Sequence, residues 1–163
     1  MGFRDRTVLR DFSCEFPRDH ISVILGASGP AKTTIPRLIG GLVRPLRARV
    51  FVAGREIGPF SERQFYRVRE KMGMMFQDGA LVNSLTAFDD LALQLRERIS
   101  MSEEEIAGEV HRQLATVGLS EVEGLLPGEV SGGMLKRVAL ARAILTRPEI
   151  LLCDEPFSCA PRL

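Results

Sequence analysis

The segment GASGPAKTT, residues 26–34, follows the apolar run ISVIL at residues 21–25 and opens a stretch of helical character. A strand, a glycine-containing turn and a helix start in this order are typical of a phosphate-binding loop, because backbone N–H groups and the helix N-terminus together attract an anion. Lys32 would add a positive charge beside the phosphates, and the Thr33 hydroxyl would contact Mg²⁺. The predicted phosphate-binding residues are Gly26, Ala27, Ser28, Gly29, Pro30, Ala31, Lys32, Thr33 and Thr34.

Three residues depart from the usual pattern of such a loop. Ala31 stands where a glycine is expected before the lysine, and its methyl group would be strained if that position needs a positive φ. Pro30 has no N–H to donate, and Pro36 falls inside the predicted helix, where its ring would clash with the carbonyl of Lys32 unless that turn is already irregular. Taken alone, an ordinary glycine-rich turn between a strand and a helix explains the segment about as well.

A second segment, ILLCDEP at residues 150–156, predicts an apolar strand with two carboxylates at its carboxyl end. Ligands of open α/β sheets bind at that edge of the sheet. Asp154 could hold Mg²⁺ through water, and Glu155 could accept a proton from an attacking water molecule. A strand that simply ends in solvated acids is the alternative interpretation.

A third segment, SGGMLKR at residues 131–137, precedes a predicted helix. Its Ser-Gly-Gly stretch leaves backbone N–H groups open at a helix start, which favours a second phosphate site. The alternative is a plain serine N-cap followed by flexible glycines. In that case Lys136, Arg137 and Arg142 would lie on the solvated face of an ordinary surface helix.

Apolar segments and helical segments alternate along most of the chain. Strands are predicted at residues 12–16, 21–25, 49–53, 72–76 and 150–153, and helices at residues 32–42, 61–69, 86–99, 102–117 and 134–145. Ser102 and Glu105 form a capping-box pattern at the start of one of these helices. Several strands are apolar enough to be buried on both faces, which indicates an α/β architecture with a largely parallel sheet. The expected organisation is an α/β core of residues 1–85 and 146–163 with an inserted helical subdomain of residues 86–145.

The composition narrows the class of protein further. The chain has 163 residues and a formal net charge of +1, from 22 basic and 21 acidic side chains. This near-neutral balance argues against nucleic acid as the main partner. Cys14, Cys153 and Cys159 form neither a metal-type pair nor an even disulfide framework, so a reducing, cytosolic setting is the simplest interpretation. No apolar run reaches the roughly 18 residues of a membrane span, so any work at a membrane would go through a partner.

In this order and context, the three segments resemble the nucleotide-binding subunits of ABC transporters, and the resemblance covers essentially the whole chain. It implies a fold of the P-loop NTPase type, ATP and Mg²⁺ as cofactors, and a head-to-tail dimer of two ATP-binding subunits. In that family the signature, here Ser131, Gly132 and Gly133, reaches the γ-phosphate of the partner's ATP. Gln77 matches the position that links Mg²⁺ and water to the transporter contact, although it could also be a polar strand end. Phe3 could stack on adenine, although an N-terminal core residue is the simpler alternative.

Residues 38–45, 74–97 and 126–144 are similar, more narrowly, to the ATPases of Mce/Mla-type systems, which move phospholipids or related hydrophobic compounds in bacterial envelopes. The region after Gln77 is where such subunits accept a coupling helix from an integral-membrane permease. The resemblance therefore implies a peripheral subunit, held at the cytoplasmic face of the inner membrane by its permease. Substrate specificity in such systems lies in the permease and in lipid-binding partners, so the assignment to lipid is made by analogy.

The sequence departs from the family after Phe157. The family continues with Ser-Gly-Leu-Asp-Pro and a later strand that carries a histidine, whereas residues 158–163 read SCAPRL. His20 and His111 lie in the wrong places to replace that histidine. We therefore expect a cassette that is incomplete at its C-terminus, from a truncated or frameshifted gene product.

Two functions from this lineage stay open at this point. One is an ATPase that couples ATP binding and hydrolysis to the transport of phospholipid or another hydrophobic compound, with Glu155 and Gln77 as catalytic residues and Thr33, Gln77 and Asp154 around the metal. The other is a non-catalytic, truncated remnant with weak or no turnover, so whether the chain is an enzyme is not decided. An ABC-type ATPase of DNA repair or translation would predict a long coiled-coil insertion or a duplicated cassette, and this sequence has neither.

Overall fold

The computed structural model describes residues 2–3, 6–26, 29–45, 47–98 and 100–156. The chain divides into two compact units, residues 1–67 and residues 68–163. The predicted organisation into an α/β core and a helical subdomain of residues 86–145 stays a prediction.

The first unit contains two short antiparallel strand pairs. Strands β1 (Gly2–Phe3) and β2 (Arg6–Thr7) form one pair, and strands β3 (Phe51–Val52) and β4 (Arg55–Glu56) form the other. The second pair is a hairpin that turns at Gly54, whose φ of 76° suits a residue without a side chain. The predicted strand over residues 49–53 is therefore confirmed in part, as one arm of this hairpin.

Helix α1 (Pro30–Ile39) follows the predicted phosphate loop and forms in spite of two prolines. Pro30 occupies the first helical position, where no intrahelical N–H bond is lost. Pro36 lies buried inside the helix, and its carbonyl accepts a hydrogen bond from the Gly40 amide at 2.8 Å. Ala31 is helical and has no positive φ. The condition for strain at Ala31, a positive φ, is therefore not met, and the helix continues through Pro36.

The predicted strands at residues 12–16 and 21–25 are also wrong, because neither segment belongs to a strand of the described residues. The apolar side chains of Ile21, Val23 and Leu25 are 96%, 73% and 87% exposed. A β-branched, apolar composition favours an extended backbone, but a strand also needs a neighbour to complete its ladder of hydrogen bonds. The composition of these segments favours an extended backbone, but it does not provide the neighbouring strand.

The second unit begins at the end of helix α2 (Glu62–Arg69) and contains a parallel strand pair. Strand β5 (Met72–Met75) pairs with strand β6 (Ile150–Cys153) in a continuous register from Met72↔Ile150 to Met75↔Cys153. Both strands were predicted, and their parallel pairing confirms the expected sheet type. The carboxyl ends of both strands therefore lie at the same edge.

Helices α3 (Ala87–Arg98), α4 (Glu103–Thr116) and α5 (Gly132–Ile144) supply the rest of this unit, with a short 3₁₀ turn at Pro127–Glu129. Their core positions recur at helical spacing and form one cluster, which includes Leu91, Leu95, Ile106, Val110, Leu114, Val138 and Ala141. The capping box at the start of α4 is confirmed, since Ser102 and Glu105 exchange side-chain and backbone hydrogen bonds of 2.8 and 3.2 Å. The longest described helix has 14 residues, and no helix of the described ranges has the length and apolar character that a membrane crossing requires.

A close contact joins strand β5 to the end of α5. Gly73 is buried, and a Cβ atom at this position would meet the carbonyl oxygen of Ala143 and the ring of Pro148. Only a glycine lets the strand backbone come this near to the last turn of the helix. The contact therefore fixes β5 relative to α5.

Candidate functional site

The parallel strands bring three predicted site residues together at one sheet edge. The Asp154 amide donates to the carbonyl of Met75 at 2.9 Å, which extends the strand pairing by one residue. Asp154 is 3% exposed, whereas Glu155 and Gln77 lie open to solvent. The Gln77 amide nitrogen donates to Glu155 Oε2 at 2.9 Å. Gln77 and Glu155 are thus paired directly, next to a buried carboxylate.

The backbone of Glu155 has a left-handed conformation, with φ of 50°. This conformation costs a non-glycine residue roughly 1–2 kcal/mol, so the surrounding structure has to support it. Lys136 from helix α5 provides one such support, because its Nζ donates to the Glu155 carbonyl at 3.1 Å. Lys136 is 9% exposed and therefore does not lie on a solvated face, which corrects the surface-helix interpretation of this residue.

A second left-handed segment follows Gln77. Gly79 and Ala80 have φ values of 74° and 48°, and the Arg142 guanidinium donates to both of their carbonyls at 2.7 and 2.8 Å. Arg142 also pairs with Asp90 at 3.0 Å, in a salt bridge whose side chains are 12% and 2% exposed. Asp90 Oδ1 in turn accepts the Val82 amide at 2.9 Å. Helix α5 therefore holds the loop that follows Gln77 through Arg142, and it holds Glu155 through Lys136.

The predicted signature lies at the start of helix α5. Ser131 is the N-cap, and its hydroxyl accepts the Met134 amide at 3.3 Å. Ser131, Gly132 and Gly133 are exposed, and a Cβ added at Gly133 would meet only open space. Part of the helix start is thus satisfied by the serine, while the exposed glycines and the open space at Gly133 leave room for a ligand.

The predicted phosphate loop belongs to the first unit. Lys32 Nζ donates to the Gly26 carbonyl at 3.1 Å, so the lysine folds back over the loop that precedes its own helix. The Thr34 hydroxyl is buried and donates to the Pro30 carbonyl at 2.6 Å. Thr33 is half-buried within the first turn of α1. Ala27, Ser28 and the side chain of Phe3 lie outside the described residues.

The two glycine-rich helix starts share an electrostatic property. Neither α1 nor α5 has an acidic residue in its first turn, whereas α2, α3 and α4 each have at least one. Carboxylates there would neutralise the positive end of the helix dipole and repel a phosphate. The pattern fits two anion sites at the predicted positions.

The donor set at the sheet edge fits a hard cation. Asp154, Glu155 and Gln77 offer carboxylate and amide oxygens, the atoms that Mg²⁺ prefers. Within the described ranges, no cluster of three or more His, Cys, Asp or Glu side chains could hold a metal. The residues present therefore suit a magnesium ion that takes most of its ligands from phosphate and water. Burial raises the pKa of the neighbouring Cys153 thiol, so no further negative charge arises beside these carboxylates.

Three residues have roles that were not predicted from the sequence: Lys136, Arg142 and Asp90. One signal was available for the lysine. Lys136, Ala139 and Ala143 recur at the spacing of one helix face, and the two alanines are core residues. A lysine in such a stripe has to find a partner. Asp90 and Arg142 lie 52 positions apart, and no local pattern links them.

The chain is similar to known proteins over almost its whole length. The family described as ABC transporter matches residues 9–158. The intermembrane phospholipid transport system ATP-binding protein MlaF of Escherichia coli (strain K12) is 40% identical over 153 residues, which are 94% of this chain and 57% of that protein. The probable ribonucleotide transport ATP-binding protein mkl of Mycobacterium tuberculosis (strain ATCC 25618 / H37Rv) is 41% identical over 157 residues, 96% of this chain and 44% of that protein. The chain thus spans about half the length of the curated relatives it matches.

Two solved structures have the same fold. The dimeric structure of MJ0796, a bacterial ABC transporter cassette, has a TM-score of 0.75 and 32% identity, over 79% of this chain and 57% of that chain. The dimeric post-hydrolysis state of MJ0796 bound to ADP and Pi has a TM-score of 0.74 and 31% identity, over 78% and 57%. Fold class and family resemblance are confirmed by these matches. The chain therefore belongs to the ABC transporter family, as an ATP-binding domain.

Proposed function

We propose that the chain binds Mg-ATP as part of an ABC transporter ATP-binding subunit, and that hydrolysis drives transport. The observation that carries this proposal is the pairing of Gln77 with Glu155 beside the buried Asp154, at the common end of two parallel strands. A strand that merely ends in solvated acids would not need a neighbouring glutamine aligned with them.

Each predicted residue has a chemical task in this proposal. Lys32 and the amides of the phosphate loop bind the phosphates. Thr33, Gln77 and Asp154 are the metal-binding residues that the family resemblance implies, and the ion would neutralise the phosphate charge. Glu155 accepts a proton from water, and Gln77 orients both that carboxylate and the water. Ser131, Gly132 and Gly133 bind the phosphate held by a second subunit, and their exposure is consistent with this role.

The partners follow from the same family relationship. MJ0796 forms a dimer, and we propose a head-to-tail dimer here as well. Val82 and Leu126 are exposed apolar residues, and Leu126 lies close to Leu81, which precedes Val82. Val82 and Leu126 would contact an integral-membrane permease. The subunit would then lie at the cytoplasmic face of a bacterial inner membrane. No nucleic acid is expected as a partner, given the net charge of +1.

The class of compound that the transporter moves is a separate part of the proposal. One relative is named for phospholipid transport and another for ribonucleotide transport, at nearly equal identity. We propose phospholipid or another hydrophobic compound, because residues 74–97 and 126–144 carry the resemblance to the lipid-moving ATPases.

A non-catalytic nucleotide-binding chain is the second candidate function. Pro30 favours it, because this residue occupies the first turn of α1 without an N–H to offer a phosphate. The loop then has one donor fewer than it would have with any other residue at this position. Binding would survive with lower affinity, and the geometry needed for turnover could be lost.

Calorimetric titration of Mg-ATP into the purified chain tests these functions. We expect binding by the wild type and its loss in Lys32→Ala, whereas Lys71→Ala should bind normally because Lys71 is exposed and pairs with Glu149. Equal binding by all three proteins, or none by a folded wild type, would contradict the proposal. Phosphate release by the wild type that stops in Glu155→Gln supports the ATPase, and binding without release supports the non-catalytic candidate.

A further inference from the structure

Helix α5 connects two parts of the candidate site in the second unit. Its first residues, Gly132 and Gly133, are the exposed glycines of the signature, and Lys136 donates to the Glu155 carbonyl at 3.1 Å. Lys136 follows Ser131 by five positions, which is about 7.5 Å along a helix axis. No loop intervenes between the two contacts, so they lie on one rigid element.

The contact to Glu155 involves a conformation that needs support. Glu155 has φ of 50°, and its side chain accepts the Gln77 amide while its carbonyl accepts Lys136. The two donors come from different elements, one from the end of β5 and one from α5. Helix α5 therefore holds the backbone of Glu155 through the lysine, while Gln77 holds its carboxylate.

The environment of Lys136 makes this contact specific. The residue is buried to 9% exposure on the face of α5 that also carries Ala139 and Ala143. An ammonium group in an apolar setting has to donate to a polar partner, and the Glu155 carbonyl is one of its acceptors. Arg137, the next residue, is exposed and donates to the Gly118 carbonyl at 3.4 Å. It therefore serves as a matched control on the same helix.

We propose that Lys136 is a positioning residue that couples the signature end of α5 to the conformation of Glu155 in the same subunit. A phosphate bound at Gly132 and Gly133 shifts or steadies the helix start, and Lys136 passes this change to the Glu155 backbone. The proposal rests on the proposed function and assigns to this residue the communication between the two halves of the site. Lys136 itself touches neither phosphate nor water in this scheme.

NMR of the ligand-free chain tests the link directly. Lys136→Met keeps the length of the aliphatic stem but removes the donor, so we expect shifted side-chain amide resonances of Gln77 and altered backbone ¹³C shifts of Glu155. Lys136→Arg keeps a donor and should retain the wild-type signals, as should Arg137→Met. Unchanged Gln77 and Glu155 signals in Lys136→Met would overturn the proposal. If that variant gives no dispersed spectrum, Lys136→Gln takes its place, since its neutral and shorter side chain also loses the contact.

Calorimetry with ATP separates positioning from a merely structural role. We expect Lys136→Met to bind ATP without Mg²⁺ as the wild type does. It should lose about fivefold of the affinity that Mg²⁺ adds, roughly the value of one hydrogen bond, because Gln77, which is bonded to Glu155, is one of the proposed metal-binding residues. A structural lysine would instead lower both affinities and the melting temperature together, and that result contradicts the proposal. If the wild type binds no ATP, the proposed function falls, while the NMR signals still decide whether Lys136 controls Glu155.

Discussion

Helices α1 and α5 both start at a glycine-rich segment, yet they start in different ways. Helix α5 has a serine N-cap that accepts a backbone amide, whereas Gly29 before α1 provides no side-chain cap. Helix α5 also buries more of its length, including Val138, Ala139 and Ala141 in the core of its unit. A helix start that is capped and anchored is formed before any ligand arrives, while the start of α1 leaves more of its polar groups for a ligand to satisfy.

The cations of the two helices show the same difference. Lys32 of α1 reaches back to the carbonyl of Gly26, a contact within its own loop. Lys136 and Arg142 of α5 reach carbonyls far away in sequence and hold left-handed backbone there. The cations of α5 thus hold distant backbone segments in place, whereas Lys32 of α1 contacts its own loop. Three substitutions or conditions put this difference to the test.

The largest effect is expected at the anchor of α5. Arg142→Met leaves Asp90 buried without its cation and removes two hydrogen bonds from the loop at Gly79 and Ala80. Breaking one partner of a buried pair costs about 3–5 kcal/mol of unfolding free energy. Urea denaturation of the chain measures this loss. Arg137→Met, which removes an exposed cation from the same helix, should cost less than about 1 kcal/mol. Equal losses in both variants would show that α5 is not anchored by Arg142.

A smaller effect is expected at the start of α1. Pro30→Ala restores an amide at the first helical position, and we expect Mg-ATP to bind about fivefold more tightly, as one added hydrogen bond would give. Ala31→Gly should bring no such gain, because Ala31 already has a helical backbone. Calorimetric titration of both variants compares them with the wild type. A gain from Ala31→Gly alone would mean that the loop rearranges to a positive φ when nucleotide binds.

The smallest effect concerns helix α4, whose start is of a third kind. Hydrogen bonds from the Ser102 backbone and hydroxyl lower the pKa of Glu105, and the hydrogen bond from Arg96 lowers that of Glu103. A carboxylate whose pKa is lower in the folded state stabilises the fold above its unfolded pKa, and this contribution is lost as the pH falls through the folded value. We therefore expect the melting temperature to decrease slightly below about pH 4.5.

Glu105→Gln serves as the control for this acid effect. Glutamine keeps the capping-box geometry at Ser102 but cannot titrate. The melting temperature should therefore decrease less between neutral and acidic pH in this variant than in the wild type. An identical decrease in both proteins would place the acid sensitivity elsewhere.

Local patterns predicted most of the second unit from the sequence. Strands β5 and β6, helices α3 to α5 and the Ser102 cap lie within a few residues of their predicted positions, because periodicity and capping are local properties. The parallel pairing of β5 and β6 places Gln77 and Glu155 at the same edge of the sheet. Residues 12–16 and 21–25 were mispredicted, because strand formation depends on partners elsewhere in the chain. Lys136 and Arg142 were misassigned for the same reason, since their acceptors lie 19 and 62–63 positions away.

The glycine at position 73 limits how this cassette can change in evolution. Its backbone lies against Ala143 and Pro148, so β5 cannot slide along α5 without placing a side chain where none fits. Gln77 lies four residues further on, and an insertion or deletion between the two would move it out of line with Glu155. Changes in length should therefore be absent from residues 73–77 among related sequences and be tolerated in the exposed turn at residues 82–84. The close contact at Gly73 thus sets the position of β5 along α5, and with it the distance from which Gln77 reaches Glu155.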